Sequence, residues 1–272
     1  MKRKVIILPL DGISGAVQLL SKLNDLLDSP GLEESLAYIK LNDGVHNVDA
    51  GGPFIVSRVK NILRSRNLSA GIFLDLKIYD VSATLVNTLK KYSLSSPDIL
   101  TVSSACSVEG IMELRKLLPE IKLAMISTPT DISKSECLTR FGQSPEVKIY
   151  NDLMNIREVC FSKLGDQNKS EPFDLVVCSP HELPFLKRNL PDSYGFIVPG
   201  IRDVWMTKID EHQKRITGVR KALDSGATYV VMGAQMTKGN PERDVSPEKS
   251  RLLTKNEIEL ARGRLVVPGD PL

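Results

Sequence analysis

The sequence predicts a single (β/α)₈ barrel, and two patterns carry that prediction. Eight short apolar runs rich in β-branched residues recur along the 272 residues, and helix-like segments lie between them. Runs that are apolar throughout fit strands covered on both faces, and regular alternation of strand and helix favours a parallel α/β fold. The length alone also allows two smaller domains. Since no linker divides the chain, we predict one barrel domain over residues 1–272.

The predicted strands are short stretches of apolar and β-branched residues. They cover residues 4–11, 37–42, 71–76, 98–103, 122–127, 174–179, 195–198 and 228–232. Several segments between them carry apolar residues at helical spacing. In the first three segments these residues are Ala16, Leu20, Leu23 and Leu27, then Ile55, Val59, Ile62 and Leu63, then Leu85, Leu89 and Tyr92.

Two long stretches lie outside this alternation. Residues 130–173 contain a helix-like stretch at 149–164 and a polar segment at 165–171, and we expect a surface insertion or mobile loop after the fifth strand. Residues 240–272 are rich in Pro, Arg and Glu, with one helical stretch at 254–262. We expect them to form a C-terminal extension packed outside the barrel.

The composition excludes several classes of function. The net charge of +3 is spread over segments of mixed sign, and the few aromatic residues form no stacking platform, so we expect no nucleic-acid partner. The four cysteines have neither C-x-x-C pairing nor a nearby histidine at metal-ligand spacing. Buried or incidental thiols in a reducing compartment are therefore expected, with no metal site.

The first residues imitate the start of a signal peptide. The basic sequence MKRK precedes an apolar run, but Pro9 and Asp11 end that run well short of a usable signal core. No other segment is long and apolar enough to span a bilayer. We therefore expect a cytoplasmic protein without a membrane partner.

The most informative motif is Asp75-Leu-Lys77-Ile-Tyr-Asp80, at the end of the third predicted strand. Alternate side chains of a strand share a face, so Asp75 and Lys77 point into the same space and Asp80 lies beyond the last ladder position. An isolated Asp-Lys pair is usually a solvated surface feature. Here the preceding run is too apolar for a surface hairpin, which favours a reaction site at the strand end.

Other polar residues follow the predicted strands at the same end of the barrel. Asp11 follows the first strand, Lys40 lies on the second, Ser103 ends the fourth and Thr130 follows the fifth. Each alone is ordinary, but the carboxyl ends of barrel strands share one mouth, where catalytic residues collect. Glycines after the seventh and eighth strands occupy positions where barrels often hold a phosphate with backbone amides.

Together these motifs resemble the orotidine 5′-monophosphate decarboxylase family. The resemblance covers nearly the whole barrel and rests on the order and spacing of its motifs. They are Leu10-Asp11, Tyr38-Ile39-Lys40, the Asp-x-Lys-x-x-Asp motif of residues 75–80 with Thr84 following, Val177-Cys178-Ser179, Pro199-Gly200-Ile201-Arg202, Gln213-Lys214-Arg215, and Gly226-Ala227 leading into Val230-Val231-Met232-Gly233.

The resemblance implies decarboxylation of orotidine 5′-monophosphate to uridine 5′-monophosphate in pyrimidine biosynthesis, with no cofactor. It implies a homodimer, with Asp80 and Thr84 supplied to the partner's site. The implied catalytic network is Lys40, Asp75, Lys77 and Asp80, with Lys77 donating the proton. The implied substrate-binding residues are Asp11 at the ribose, Thr130 at the pyrimidine, and Pro199, Gly200, Arg202, Gln213 and Gly233 around the phosphate.

The chain departs from the family pattern at three places. Gly233-Ala234 stands where the family usually has Gly-Arg, and alanine cannot replace a bidentate phosphate ligand. Ser103 stands where histidine is common, and Ser82-Ala83 replace the usual Pro-Asn. Arg202 or Lys238 could compensate for the missing arginine, or the natural ligand could differ.

Two alternatives remain open at this stage. A related barrel of the hexulose-phosphate synthase or ketogulonate-phosphate decarboxylase type would need magnesium held partly by an acidic residue on the second strand. Lys40 stands there, and a cation opposes metal binding. A non-catalytic nucleotide-binding homologue is the other alternative, suggested by Ala234.

Overall fold

Eight parallel strands close into a barrel in sequence order. The structure is a computed structural model, and it describes residues 4–13, 15–46, 51–164, 170–207 and 217–263. The strands are β1 (Ile6–Pro9), β2 (Leu36–Leu41), β3 (Gly71–Ile78), β4 (Ile99–Ser103), β5 (Lys122–Ile126), β6 (Leu175–Val177), β7 (Gly195–Val198) and β8 (Tyr229–Val231). Ile6 and Ile7 of β1 pair with Val230 and Val231 of β8 and complete the ring. The predicted fold class is therefore confirmed.

Helices follow the strands along the chain. They are α1 (Ala16–Asp28), α2 (Gly52–Ser65), α3 (Ser82–Lys90), α4 (Val108–Leu117), α5 (Lys134–Phe141), α6 (Pro145–Leu164), α7 (Leu183–Asn189), α8 (Val219–Asp224), α9 (Ala234–Thr237) and α10 (Pro247–Ala261). The three helices predicted from apolar spacing form as α1, α2 and α3. In α2 and α3 the predicted positions supply most of the buried side chains, whereas α1 buries Leu19, Leu23 and Leu26, of which only Leu23 was predicted.

The segment after β5 contains two helices where only one was predicted. Helix α6 includes the predicted stretch and begins four residues earlier, at Pro145. Helix α5 was missed because it is polar and buries only Cys137. Its start is nevertheless encoded, since the Ser133 side chain accepts a hydrogen bond from the Glu136 N–H. Residues 165–169 of the predicted polar segment lie outside the described residues.

The last described helix begins earlier than the sequence suggested. Helix α10 starts at Pro247, where the Ser246 side chain caps it by accepting from the Lys249 N–H, and it ends at Ala261. It packs against α8 and α9. Residues 264–272 of the predicted C-terminal extension lie outside the described residues.

The barrel interior is a packed layer of apolar side chains and not a channel. Its buried members are Ile7, Phe73, Ile99, Ala124, Ile126, Leu175, Val177 and Ile197. A larger apolar layer lies between the strands and the surrounding helices. Since each fully buried large apolar side chain contributes about 1.5–3 kcal/mol, these two layers hold the strand ends in fixed positions.

Membrane insertion has no candidate among the helices that the structure describes. Within that part of the chain, no helix combines the length and the apolar character needed to cross a bilayer.

Candidate active site

A row of four alternating charges crosses the mouth of the barrel. The Lys40 ammonium lies 2.9 and 2.7 Å from the two carboxylate oxygens of Asp11 and 3.4 Å from Oδ2 of Asp75. The same Asp75 oxygen accepts a hydrogen bond from the Lys77 ammonium at 2.7 Å. Asp75 is therefore shared between two ammonium groups, and the order along the row is Asp11, Lys40, Asp75, Lys77.

Burial differs sharply along this row. The side chains of Lys40 and Asp75 are 9% and 11% exposed, whereas those of Asp11 and Lys77 are 45% and 42% exposed. The two inner charges are paired on both sides, which offsets the cost of removing them from water. The two outer groups keep an accessible face, so they can contact a ligand without dismantling the row.

The strand register explains how these charges meet. Pro9 of β1 pairs with Lys40 of β2, and Lys40 pairs with Phe73 of β3, so Asp11 and Asp75, each two residues further along, lie on either side of the lysine. The β3–β4 register shifts between Leu74 and Ile78. Lys77 lies within this irregularity, and β3 ends two residues later than predicted, at Ile78.

Lys77 has an unusual backbone conformation within that irregularity. Its φ is +48°, in the left-handed region that non-glycine residues rarely adopt. Its N–H is directed to the hydroxyl of Thr101 on β4, at 2.7 Å. The prediction that Asp75 and Lys77 meet is thus confirmed, but the contact depends on a local distortion and not on simple strand alternation.

The row of charges forms one wall of a cavity of about 330 Å³. Asp11, Lys40, Asp75 and Lys77 line it on the polar side, together with Asn42, Thr130 and Asp131. Its apolar lining residues are Pro9, Phe73, Ile126, Pro129, Val177, Ile197, Pro199 and Val231. A cavity lined by both charged and apolar side chains can orient a small, flat, anionic molecule.

Asp80 and Thr84 do not join the charged row of their own chain. Asp80 follows the end of β3, and its carboxylate accepts a hydrogen bond from the adjacent Val81 N–H at 2.8 Å. Thr84 lies exposed on α3. Neither lines the cavity. The neighbouring apolar side chains Tyr79 and Val81 are also exposed, by 70% and 69%.

The residues expected around a phosphate fall into three groups. Pro199 lines the cavity, and Gly200 follows it with a φ of +76° that suits glycine. Arg202 is exposed, with its N–H donating to the Thr217 carbonyl, and Gly233 precedes the short helix α9. Gln213 lies outside the described residues.

A buried polar network beside Arg202 was not foreseen from the sequence. Asp203 accepts hydrogen bonds from the Val219 N–H at 3.0 Å and from the Gln235 amide at 2.5 Å. Gln235 in turn accepts from the Asp203 N–H and donates to the Thr254 hydroxyl on α10. Burial raises the pKa of Asp203 above its usual range, although these hydrogen bonds oppose the shift. The network fixes the chain directly after Arg202 to α8, α9 and α10.

The insertion after β5 supports the other side of the mouth. Asp152 of α6 accepts hydrogen bonds, each 2.7 Å long, from the hydroxyls of Ser104 and Ser127 and from the Lys148 ammonium. Ser104 follows β4, and Ser127 follows β5 three residues before Thr130. The insertion helix therefore braces the ends of β4 and β5.

Sequence reasoning missed Thr101, Asp152, Asp203 and Gln235 because their partners are distant in the chain. One local signal was available for the loop that carries Asp11. Gly12 has a φ of +72°, and its N–H donates to the carboxylate of Asp43 at 2.7 Å. An Asp-Gly pair is typical of a turn, but the sequence does not identify Asp43 as the acceptor for the Gly12 N–H.

The sequence of residues 27–246 matches the profile of the family described as orotidine 5′-phosphate decarboxylase / HUMPS family. An orotidine 5′-phosphate decarboxylase of Staphylococcus saprophyticus is 27% identical over 242 residues, which cover 87% of this chain and 92% of that protein. The enzyme of the same name from Streptococcus equi is 29% identical over 221 residues, which cover 78% of this chain and 89% of that protein.

Solved structures confirm the fold independently. The crystal structure of orotidine 5′-phosphate decarboxylase from Lactobacillus acidophilus has a TM-score of 0.67 at 19% identity, with 94% of this chain and 99% of that chain covered. The structure of the enzyme from Pyrococcus horikoshii has a TM-score of 0.60 at 17% identity, with 93% and 99% covered.

Proposed function

Because the chain belongs to the orotidine 5′-phosphate decarboxylase / HUMPS family, we propose that it is a carboxy-lyase that converts orotidine 5′-monophosphate to uridine 5′-monophosphate in pyrimidine biosynthesis. The observation that carries this proposal is the Lys77 ammonium, which lies 2.7 Å from Asp75 in a cavity that is also lined by apolar side chains. That arrangement brings a proton donor and a fixed negative charge to the same place.

The reaction breaks the bond between C6 of the pyrimidine and its carboxylate. Carbon dioxide leaves, and the bonding electron pair stays on C6 as a carbanion. The Lys77 ammonium stabilises that charge and then transfers its proton to C6, and the neutral amine regains a proton from water. Repulsion between Asp75 and the substrate carboxylate raises the energy of the bound substrate, and loss of carbon dioxide relieves it.

The remaining charges keep the reacting pair in position. Lys40 contacts the same Oδ2 oxygen of Asp75 that accepts the hydrogen bond from Lys77, so it helps to fix that carboxylate in place. Asp11 contacts the ribose hydroxyls, and Thr130 contacts the pyrimidine. No cofactor is required in this scheme, because the electron pair is stabilised by a side-chain ammonium and not by a metal ion.

The phosphate binds at the ends of β7 and β8. Pro199, Gly200 and Gly233 supply backbone and space, and Arg202 with Gln213 supplies hydrogen-bond donors. Binding energy from this remote group closes the site around the reacting carbon. Arg202 carries more of the phosphate charge here than in relatives with Gly-Arg, because Ala234 has no guanidinium.

The active unit is a homodimer in which Asp80 and Thr84 complete the partner's site. Support comes from their position outside their own cavity and from the exposed apolar side chains Tyr79 and Val81 beside them. Mixing Lys77→Ala subunits with Asp80→Asn subunits tests this arrangement. A hybrid dimer has one intact site, so random mixing should restore about a quarter of wild-type activity from two inactive proteins. If hybrid dimers form but show no activity, sites shared between the subunits would be excluded.

Turnover of orotidine 5′-monophosphate by the purified protein tests the reaction itself. The substrate is supplied with and without a metal chelator, loss of the orotate absorbance is followed, and uridine 5′-monophosphate is identified as product. Turnover that resists the chelator is the expected result. Turnover that requires added magnesium would support the sugar-phosphate branch of the family.

Ala234 favours one other function, that of a nucleotide-binding homologue without turnover. This alternative predicts that uridine 5′-monophosphate raises the melting temperature while orotidine 5′-monophosphate is recovered unchanged. The two measurements together separate a slow enzyme from a binding protein.

A further inference from the structure

The hydroxyl of Thr101 joins the two groups that the proposed reaction uses most directly. Thr101 lies on β4 and is completely buried. Its Oγ1 accepts a hydrogen bond from the Lys77 N–H at 2.7 Å and donates one to Oδ1 of Asp75 at 3.0 Å. It does not line the cavity, so it does not contact the substrate.

The direction of both hydrogen bonds is fixed by chemistry. A backbone N–H can only donate, so the Thr101 oxygen must be the acceptor for Lys77. The hydroxyl hydrogen is then free to point at Asp75, whose carboxylate accepts it. The bond to Oδ1 turns the carboxylate so that Oδ2 faces the ammonium groups of Lys40 and Lys77.

The same hydroxyl supports the unusual backbone of Lys77. The register shift between β3 and β4 separates the Lys77 N–H from the regular strand ladder, and the residue has a φ of +48°. Such a conformation persists only when surrounding contacts hold it. A backbone N–H usually has a hydrogen-bond acceptor, and the Thr101 oxygen takes the place of the ladder carbonyl that would accept from Lys77 in a regular strand.

We infer that Thr101 is a positioning residue for the decarboxylation, because it orients the Asp75 carboxylate and holds the backbone from which the Lys77 ammonium reaches the substrate. This inference rests on the proposed function. It concerns the chemical step and not substrate affinity, since the ribose and phosphate contacts lie elsewhere in the site.

A pair of variants separates the hydroxyl from the space that the side chain fills. Thr101→Val keeps the shape and removes both hydrogen bonds, whereas Thr101→Ser keeps the hydroxyl and removes a methyl group. Loss of the hydrogen bonds to the Asp75 carboxylate and to the Lys77 backbone N–H predicts that kcat of Thr101→Val falls about 10- to 100-fold. The KM should change by less than about threefold, and Thr101→Ser should recover most of kcat.

Kinetics that contradict this pattern overturn the inference. An equal loss of kcat in Thr101→Val and Thr101→Ser would mean that the packing of the side chain matters and its hydroxyl does not. An increase in KM with unchanged kcat would place the effect on binding. If Thr101→Val fails to fold, Thr101→Cys takes its place. A thiol is a weak hydrogen-bonding group, so kcat of this variant should also fall.

A crystal structure of Thr101→Val tests the inference even if the wild-type protein shows no turnover. The expected result is a Lys77 that has left the left-handed region, or an Asp75 carboxylate rotated away from the Lys77 ammonium. A structure that preserves both the backbone conformation and the 2.7 Å contact overturns the inference. Absence of wild-type turnover, in contrast, counts against the proposed function alone.

Discussion

Replacing Lys40 with methionine tests whether the charged row stabilises the fold that carries it. The change removes the ammonium between Asp11 and Asp75 and keeps an unbranched stem. Asp11 is 45% exposed, so water can replace its lost partner, whereas Asp75 is only 11% exposed. Removing one partner of a fully buried pair costs about 3–5 kcal/mol. Because Asp75 retains Lys77 and Thr101, we expect a loss of about 2–3 kcal/mol in the free energy of unfolding.

A double-mutant cycle isolates the interaction. Asp75→Asn alone leaves the ammonium groups of Lys40 and Lys77 facing each other without a carboxylate. The double variant removes that repulsion, so its loss should be smaller than the sum of the single losses by about 1 kcal/mol or more. Urea unfolding followed by circular dichroism measures all four proteins.

An exposed ion pair provides the matched control. Lys187→Met removes the 2.6 Å contact to Asp192, whose side chain is 93% exposed, and we expect almost no change in unfolding. The interaction would be excluded if the losses in unfolding free energy of Lys40→Met and Asp75→Asn added up in the double variant. It would also be excluded if Lys40→Met were as stable as Lys187→Met.

Three further predictions concern other parts of the chain. Burial raises the pKa of Cys178 well above its usual range, and all four cysteines are buried. A thiol reagent at pH 8 should therefore label the native protein far more slowly than the unfolded protein. Mass spectrometry can count the labelled cysteines. Asp203→Asn replaces a carboxylate oxygen that accepts hydrogen bonds with an NH₂ group that can only donate. The free energy of unfolding should fall by about 1–3 kcal/mol. The pKa of Asp203 is raised in the folded state, so its contribution to the free energy of unfolding falls as the pH rises through that raised pKa. The difference in the free energy of unfolding between wild type and Asp203→Asn, measured with urea, should therefore shrink from acidic to neutral pH. Ala234→Arg should lower the KM for orotidine 5′-monophosphate about tenfold or more in steady-state kinetics, since a guanidinium can pair with phosphate, and an unchanged KM would place the phosphate elsewhere.

The barrel was predictable because its strands are nearly continuous apolar runs separated by helices. The limits of sequence reasoning are visible in α5, where a polar helix buries one side chain and apolar spacing gives no signal. The Ser133-x-x-Glu136 pattern at its start was the usable clue, because it is typical of a helix N-terminus.

The charged row was only partly predictable. Strand ends identified Lys40, Asp75 and Lys77, because residues at that end of every strand share one mouth. The left-handed Lys77 and its Thr101 acceptor could not be read from the sequence, since they depend on a register shift between β3 and β4. Similarly, Asp203, Gln235 and Thr254 are separated along the chain and meet only after the barrel closes.

In the proposed reaction, the Lys77 ammonium protonates C6 after carbon dioxide leaves. The most direct measurement compares decarboxylation by wild-type protein and Lys77→Ala, with calorimetric binding of uridine 5′-monophosphate as the control for an intact site. We expect the variant to bind this nucleotide but to lose about 10²- to 10⁴-fold or more of its turnover. Undiminished turnover by a folded Lys77→Ala protein would show that Lys77 is not the proton donor.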